Sequence, residues 1–192
     1  MGNELPVTRG DFMSSRDVWS HGSGVALLDL LSSSLLSLIM APPVPEPAYF
    51  CSPWLSNFVL FDNRHRQMNA VFPHQADQSD IWFADYLAEL SRRMSVRVIT
   101  VRNSTSEVFL SNPLLRQSAV KLRFAPDEFH EKGILTPRFY IEGSMNLTYS
   151  GVYVRGEKVT FHAADEEVGH RKITATMLEF DRQWHNLDRG SR

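Results

Sequence analysis

Phe129-His130-Glu131-Lys132-Gly133 and, further on, Gly143-Ser144-Met145-Asn146-Leu147-Thr148 are the stretches on which the reading of this chain turns. In extended backbone, side chains two apart share a face. His130 and Lys132 therefore point one way, and Ser144 and Asn146 do likewise. Gly133–Leu135 and Phe139–Ile141, around Thr136-Pro137-Arg138, read as a hairpin that sets the two segments side by side. Four polar groups then converge: an imidazole, a permanent cation, a hydroxyl and an amide. Glu157 follows on or just before the next strand, placed to orient the His130 imidazole. The set suits phosphoryl chemistry. Lys and Asn stabilise the equatorial oxygens, and imidazole attacks phosphorus or shuttles a proton.

Outward from this hairpin the chain alternates. Tyr49-Phe50-Cys51 is a short apolar strand halted at Ser52-Pro53, and Val96–Val101 is a strand by its β-branched content. Asp80 is placed to cap a helix carrying Ile81, Trp82, Phe83, Tyr86, Leu87, Leu90 and Met94. Asn112–Gln117 reads as a short helix, and Val120–Phe124 and Lys158–Phe161 as strands. Asp165, Glu166 and Glu167 favour a helix start through the macrodipole, and Ile173, Met177, Phe180 and Trp184 continue that helix. Asp62–Asp80 is long, polar and irregular. Strand, helix, strand, helix, strands, helix predicts a layered α/β domain.

The amino-terminal part reads differently. The first twenty residues hold Glu4, Arg9, Asp11, Arg16 and Asp17 and lack the basic start of a secretory signal. Val25–Met40 is the most apolar stretch, with Leu27, Leu28, Leu31, Leu35, Leu38 and Ile39 at helical spacing. It is too short for a bilayer span and its polar face is Ser-rich, not Lys/Arg-rich, so it predicts a helix packed on the domain or on a partner. Pro42, Pro43, Pro45 and Pro47 end it. The expected division is an N-terminal helical segment with a Pro-rich connection over 1–47 and the main domain over 48–192.

The 192 residues are 43% hydrophobic and 22% charged, which excludes a disordered chain or a coiled-coil rod. The net charge of −2 supplies no global field toward nucleic acid or anionic lipid. The cations are nonetheless sixteen Arg against four Lys, and Arg suits bidentate phosphate contacts. One cysteine, Cys51, excludes an intrachain disulfide and fits a reducing, cytoplasmic setting. Glu167 and His170 are too few for a metal site, and no metal or cofactor is expected.

His-x-Lys, then Gly-Ser-x-Asn, then an acid resembles the phospholipase D superfamily over roughly Phe124–Phe161. The resemblance implies a phospholipase-D-like layered α/β/α domain with a mixed central sheet, here preceded by the N-terminal helical segment. Members work with two His-x-Lys motifs face to face, one His becoming phosphohistidine and the other protonating the leaving oxygen, without a metal. This chain has one motif, so the resemblance implies a homodimer with a shared site. Glu157 matches the family's His-orienting acid, and Ser144 would hold the site's hydrogen bonds. One position departs: the family's motif has Asp five residues after the Lys, and here that residue is Pro137. Some phosphodiesterases of the superfamily lack that Asp and keep the His and Lys. Cys51–Phe58 and Asp62-Asn63-Arg64, with the two stretches quoted first, look in addition like the small phospholipase-D-like protein of bacterial DNA 7-deazaguanine modification islands, which accompanies modification and restriction proteins.

The function expected is therefore a metal-independent phosphodiesterase, a DNA nuclease of a bacterial defence system. Arg64, Arg66 and Trp54 are the candidate substrate-binding residues. Arg64, His65 and Arg66 either grip a nucleic-acid backbone or belong to a charged surface loop, and Trp54 either meets substrate or packs near Cys51. The alternative, favoured by Pro137, is a catalytically impaired phospholipase-D-like nucleic-acid-binding or scaffold subunit. A phospholipase at a membrane fits less well, for want of a basic amphipathic segment.

Overall fold

Hydrophobic alternation decides which face each strand covers. In the computed structural model, which describes residues 15–20 and 25–189, the strand Ala48–Cys51 (β2) sends Phe50 to one core and Tyr49 and Cys51 to another. Its parallel neighbour Val96–Val101 (β5) sends Val98 to the first and Ile99 to the second. The hairpin strands Gly133–Leu135 (β7) and Phe139–Gly143 (β8) divide likewise: Ile134, Phe139 and Ile141 on one side, Leu135 and Tyr140 on the other. Period-two patterning with both sets apolar demands cover on both faces.

One face is covered by the helices Val25–Met40 (α1) and Phe83–Leu90 (α2), the other by Glu167–Asn186 (α5). The remaining strands are Ser15–Trp19 (β1), Val59–Asp62 (β3), Asp80–Trp82 (β4), Lys121–Ala125 (β6), Lys158–Ala163 (β9) and Asp188–Arg189 (β10). Two short helices, Ser104–Leu110 (α3) and Pro113–Gln117 (α4), connect β5 to β6. The central sheet runs β1-β9-β8-β7-β2-β5-β6-β10; β2, β5 and β6 are parallel and the other pairings antiparallel. β3 and β4 form a separate ribbon. The expected α/β/α layering with a mixed sheet is what the structure shows.

Local chemistry explains where elements begin. Asp80 starts β4 and does not cap a helix: the Asp80–Trp82 backbone is committed to pairing with β3. The helix begins three residues later, where the Asp85 carboxylate accepts from the Trp82 amide at 2.9 Å, satisfying an orphan donor of the first turn. It ends at Leu90, so Met94 lies beyond it. Helix α3, absent from the sequence reading, is capped by the Asn103 side chain accepting from Ser106 N at 2.9 Å. The strand β1 was likewise not foreseen.

Both β1 and α1 belong to the same layers as the rest. β1 pairs with β9 along its whole length. Leu27, Leu31 and Leu35 are 0–1% exposed and join Phe50, Val98 and Ile141 in one cluster; truncating any of them to Ala costs about 2–5 kcal/mol. Glu4, Arg9 and Asp11 lie outside the described residues. No described helix is long and apolar enough to cross a membrane.

Opposite, α5 is clamped to the sheet by a polar hub. Arg97 Nη1 donates to Asp181 Oδ1 at 2.5 Å and to the Tyr49 hydroxyl, which donates to the same carboxylate at 3.1 Å. Trp184 stacks over the Arg97 and Arg123 guanidinium groups. Burial pushes the Tyr49 hydroxyl well above its ordinary pKa, so it stays protonated.

Candidate functional site

Strand direction gathers the candidate residues at one edge of the sheet. β2, β5, β6 and β8 end there and β7 and β9 begin there, because antiparallel partners exchange ends. His130 and Lys132 immediately precede β7, Ser144 and Asn146 follow β8, and Glu157 precedes β9.

The loop after β8 is fixed from three sides. Ser144 Oγ donates to Glu157 Oε2 at 2.5 Å and accepts from Lys158 N at 3.1 Å. Glu157 is buried, and its backbone is held by Ser20 at the end of β1: Ser20 N donates to its carbonyl at 3.0 Å, and its own amide donates to Ser20 Oγ at 2.9 Å. Ser52, wholly buried at the end of β2, takes the Leu147 amide on its Oγ at 3.1 Å, donates to the Trp54 carbonyl at 2.6 Å and meets Asn146 Oδ1 at 3.3 Å. The Asn146 amide is thus seated against the β2 terminus. Gly143 enters the loop at φ 154°, and a Cβ there would lie 2.2 Å from the Lys158 carbonyl; only glycine permits this approach.

The loop before β7 is freer. His130 is exposed, and among the described residues none hydrogen-bonds its imidazole. Lys132 Nζ donates to the His130 carbonyl at 2.9 Å, which ties the cation to the residue carrying the imidazole. Glu131 turns toward α5, where Gln183 Nε2 donates to its carboxylate at 3.2 Å, so it lies away from the site. The Glu157 carboxylate, expected on His130, is taken by Ser144 in this structure.

Trp54 lies beside the site through its backbone. Its carbonyl accepts from Ser52, and Leu55 next to it bridges to Leu147; the indole is 45% exposed. Arg64 and Arg66 are placed otherwise, in the connection from β3 to β4. Arg64 Nη2 pairs with Asp62 Oδ2 at 2.5 Å, which holds the Asp62 carboxyl down at about 2. Arg66 donates to the carbonyls of Ala76 and Gln78 at 2.6 and 3.2 Å. No hydrogen bond among the described residues joins either one to the 130–146 segments. Ser52 and Ser20 are the site-supporting residues that sequence reasoning missed. The one signal for Ser52 was its position where β2 stops.

Pro137 is remote from this edge. It occupies the turn at the opposite end of β7, where Thr136, fully buried, accepts from Phe139 N at 2.9 Å and Arg138 N at 3.2 Å. A single hydroxyl thus satisfies the turn that a capping carboxylate would serve.

No protein-family model and no curated protein matches the chain. Solved structures do. Nuc, a phospholipase D family member from Salmonella typhimurium, superposes with a TM-score of 0.55 at 12% identity, over 93% of this chain and 98% of that one. NucT from Helicobacter pylori gives 0.55 at 11%, over 92% and 99%. The fold is that of a phospholipase D family member. An archaeal chromatin protein described as binding DNA, TrmBL2, gives 0.53 at 10% identity over 98% of this chain and 57% of its own. In this phospholipase D fold the edge carrying His130, Lys132 and Asn146 is where three strand termini deliver polar groups to solvent.

Proposed function

We propose that this chain is a phosphodiesterase, a nuclease acting on DNA. The observation that carries the reading is the delivery of His130, Lys132, Ser144, Asn146 and Glu157 to one sheet edge by the termini of β7, β8 and β9, in a fold shared with phospholipase D family proteins.

The chemistry follows from the groups. An imidazole nitrogen of His130 attacks phosphorus while the bond to the leaving oxygen breaks, giving phosphohistidine. The imidazole of a second copy protonates the leaving oxygen. That same imidazole then takes a proton from water, which attacks phosphorus and frees His130. Lys132 and Asn146 hold the charge on the non-bridging oxygens, which is the task a metal performs in other phosphodiesterases. Ser144 and Glu157 act as positioning residues: their short hydrogen bond fixes the loop that presents Asn146. One chain supplies one imidazole of this kind, so the proposed enzyme is a homodimer with a shared site. The likeness of Cys51–Phe58 to a protein of DNA modification islands supports a place beside modification and restriction proteins in a bacterial defence system, in the cytoplasm.

The impaired-subunit reading rested on Pro137. That residue lies at the far end of β7 from Lys132, in a turn served by Thr136, which supports the enzyme reading. The test is direct. Purified protein is incubated with plasmid and with single-stranded DNA in excess EDTA, alongside His130→Ala. Cleavage that resists EDTA and vanishes in the variant is expected. Cleavage that needs added metal, or survives the substitution, overturns the mechanism.

A further inference from the structure

Next to the candidate site stands an aromatic surface that the proposed chemistry does not use. Tyr149 lies three residues past Asn146, and its amide donates to Ser56 Oγ at 2.8 Å, which holds it to the Trp54 loop. The turn Ser150–Val154 is π-helical, a rare geometry concentrated at functional sites. It brings Tyr153 under Tyr149, with ring centroids 5.1 Å apart and planes 22° from parallel. Tyr153 is locked in turn, its hydroxyl donating to the Val59 carbonyl at 2.6 Å. Tyr149 is therefore a ring supported by protein on one face while 57% exposed. Gly151 completes the device: a Cβ there would lie 2.3 Å from the Asn146 carbonyl, so the turn sits directly on the residue that presents the candidate amide. Trp54 adds a second exposed ring on the adjoining loop.

Charge at this edge points the same way. The loop carrying His130 holds the exposed carboxylates Asp127 and Glu128, and the chain as a whole is −2. A duplex draws its affinity chiefly from neutralised phosphates on two backbones. A single strand presents unpaired base faces, and stacking on aromatic rings supplies affinity that does not depend on charge.

We propose that Tyr149, backed by Tyr153 and joined by Trp54, is a base-stacking platform that makes single-stranded nucleic acid the preferred substrate of this site. The proposal rests on the phosphodiesterase reading and deepens it: a base held on Tyr149 places its neighbouring phosphodiester at the Asn146 loop.

The test is fluorescence anisotropy with a labelled dT oligonucleotide and a duplex of equal length, at fixed salt with EDTA, using full-length His130→Ala so that nothing is cleaved. The single strand is expected to bind about tenfold more tightly than the duplex. Adding Tyr149→Ala is expected to weaken single-strand binding about tenfold, the loss of one stacked base. Tyr149→Trp should restore it. Equal affinity for both substrates, or single-strand binding indifferent to Tyr149→Ala, overturns the proposal. So does a Tyr149→Ala protein that sediments as a smaller species than its parent, because the ring then belongs to a contact between copies. Hydrolysis of bis(p-nitrophenyl) phosphate by the unaltered chain, lost in His130→Ala, reads the chemistry separately. Hydrolysis without preferential single-strand binding sinks the platform alone, and preferential binding without hydrolysis sinks the phosphodiesterase reading alone.

Discussion

The two ends of β7 make an instructive contrast. At the Lys132 end, polar side chains are delivered outward and one of them, the His130 imidazole, has no hydrogen-bond partner among the described residues. At the Thr136 end the polar group is turned inward: the hydroxyl is fully buried, and it takes two amides of the turn. Only three residues separate these environments. One end has kept its polar capacity available, at a cost to stability, and the other has spent it on the fold. The phospholipase D motif that this sequence resembles joins both ends in a single pattern, although the two ends meet different physical demands. The departure at Pro137 lies in the turn at the Thr136 end.

Substitutions at the two ends should separate cleanly. The largest effect is expected from Lys132→Ala. Removing the cation proposed to face the developing charge should lower cleavage by about 10³-fold, with the thermal midpoint unchanged, as measured by initial rates and a melt on the same sample. Loss of stability with retained rate would break the contrast. Ser52→Ala probes the support beneath Asn146. It should lower kcat about tenfold to hundredfold through misplacement, with little change in KM. A rise in KM alone would show that Ser52 serves binding.

Thr136→Val sharpens the other side. It leaves two turn amides without their acceptor and should destabilise by about 1–3 kcal/mol in a denaturant titration, while Pro137→Asp, on the same turn, leaves the cleavage rate within about twofold. A large rate change in Pro137→Asp would mean that the far turn does communicate with the site.

The smallest effect concerns pH. The Arg97 hydrogen bond holds the Asp181 carboxyl below its ordinary value. Its folded pKa is thus depressed, so the stability it contributes is present above the unfolded value near 4 and lost as pH falls through the folded one. Since Asp181 is half-exposed, solvent screens the pair and the effect is small. Acidification below pH 4 should loosen α5, read as a change in Trp184 fluorescence, and Asp181→Asn should flatten that response.

Arg64 and Arg66 show what charge composition leaves open. From sequence, three neighbouring basic residues in a long polar loop look available to a phosphate backbone. In the fold one is paired with Asp62 and the other closes the loop onto its own carbonyls. Trp54 was legible as a residue of interest, but its closeness to the site depends on Ser52 and Leu147, which are far apart in the chain. Asp80 misled for a different reason. Capping propensity is local, and strand pairing with β3 outweighed it.

What the sequence alone determined was the alternation of apolar residues, hence strands with two buried faces, and the His-x-Lys and Gly-Ser-x-Asn spacings at which extended backbone would set like groups on one side. Both depend only on backbone geometry within a few residues. The tertiary structure decided which termini share an edge, which carboxylate Ser144 takes, that β1 and α1 join the main layers, and that Tyr149 stands exposed beside Asn146. Each of these is a meeting of residues distant along the chain, set by strand order and packing, and no local rule of conformation contains it.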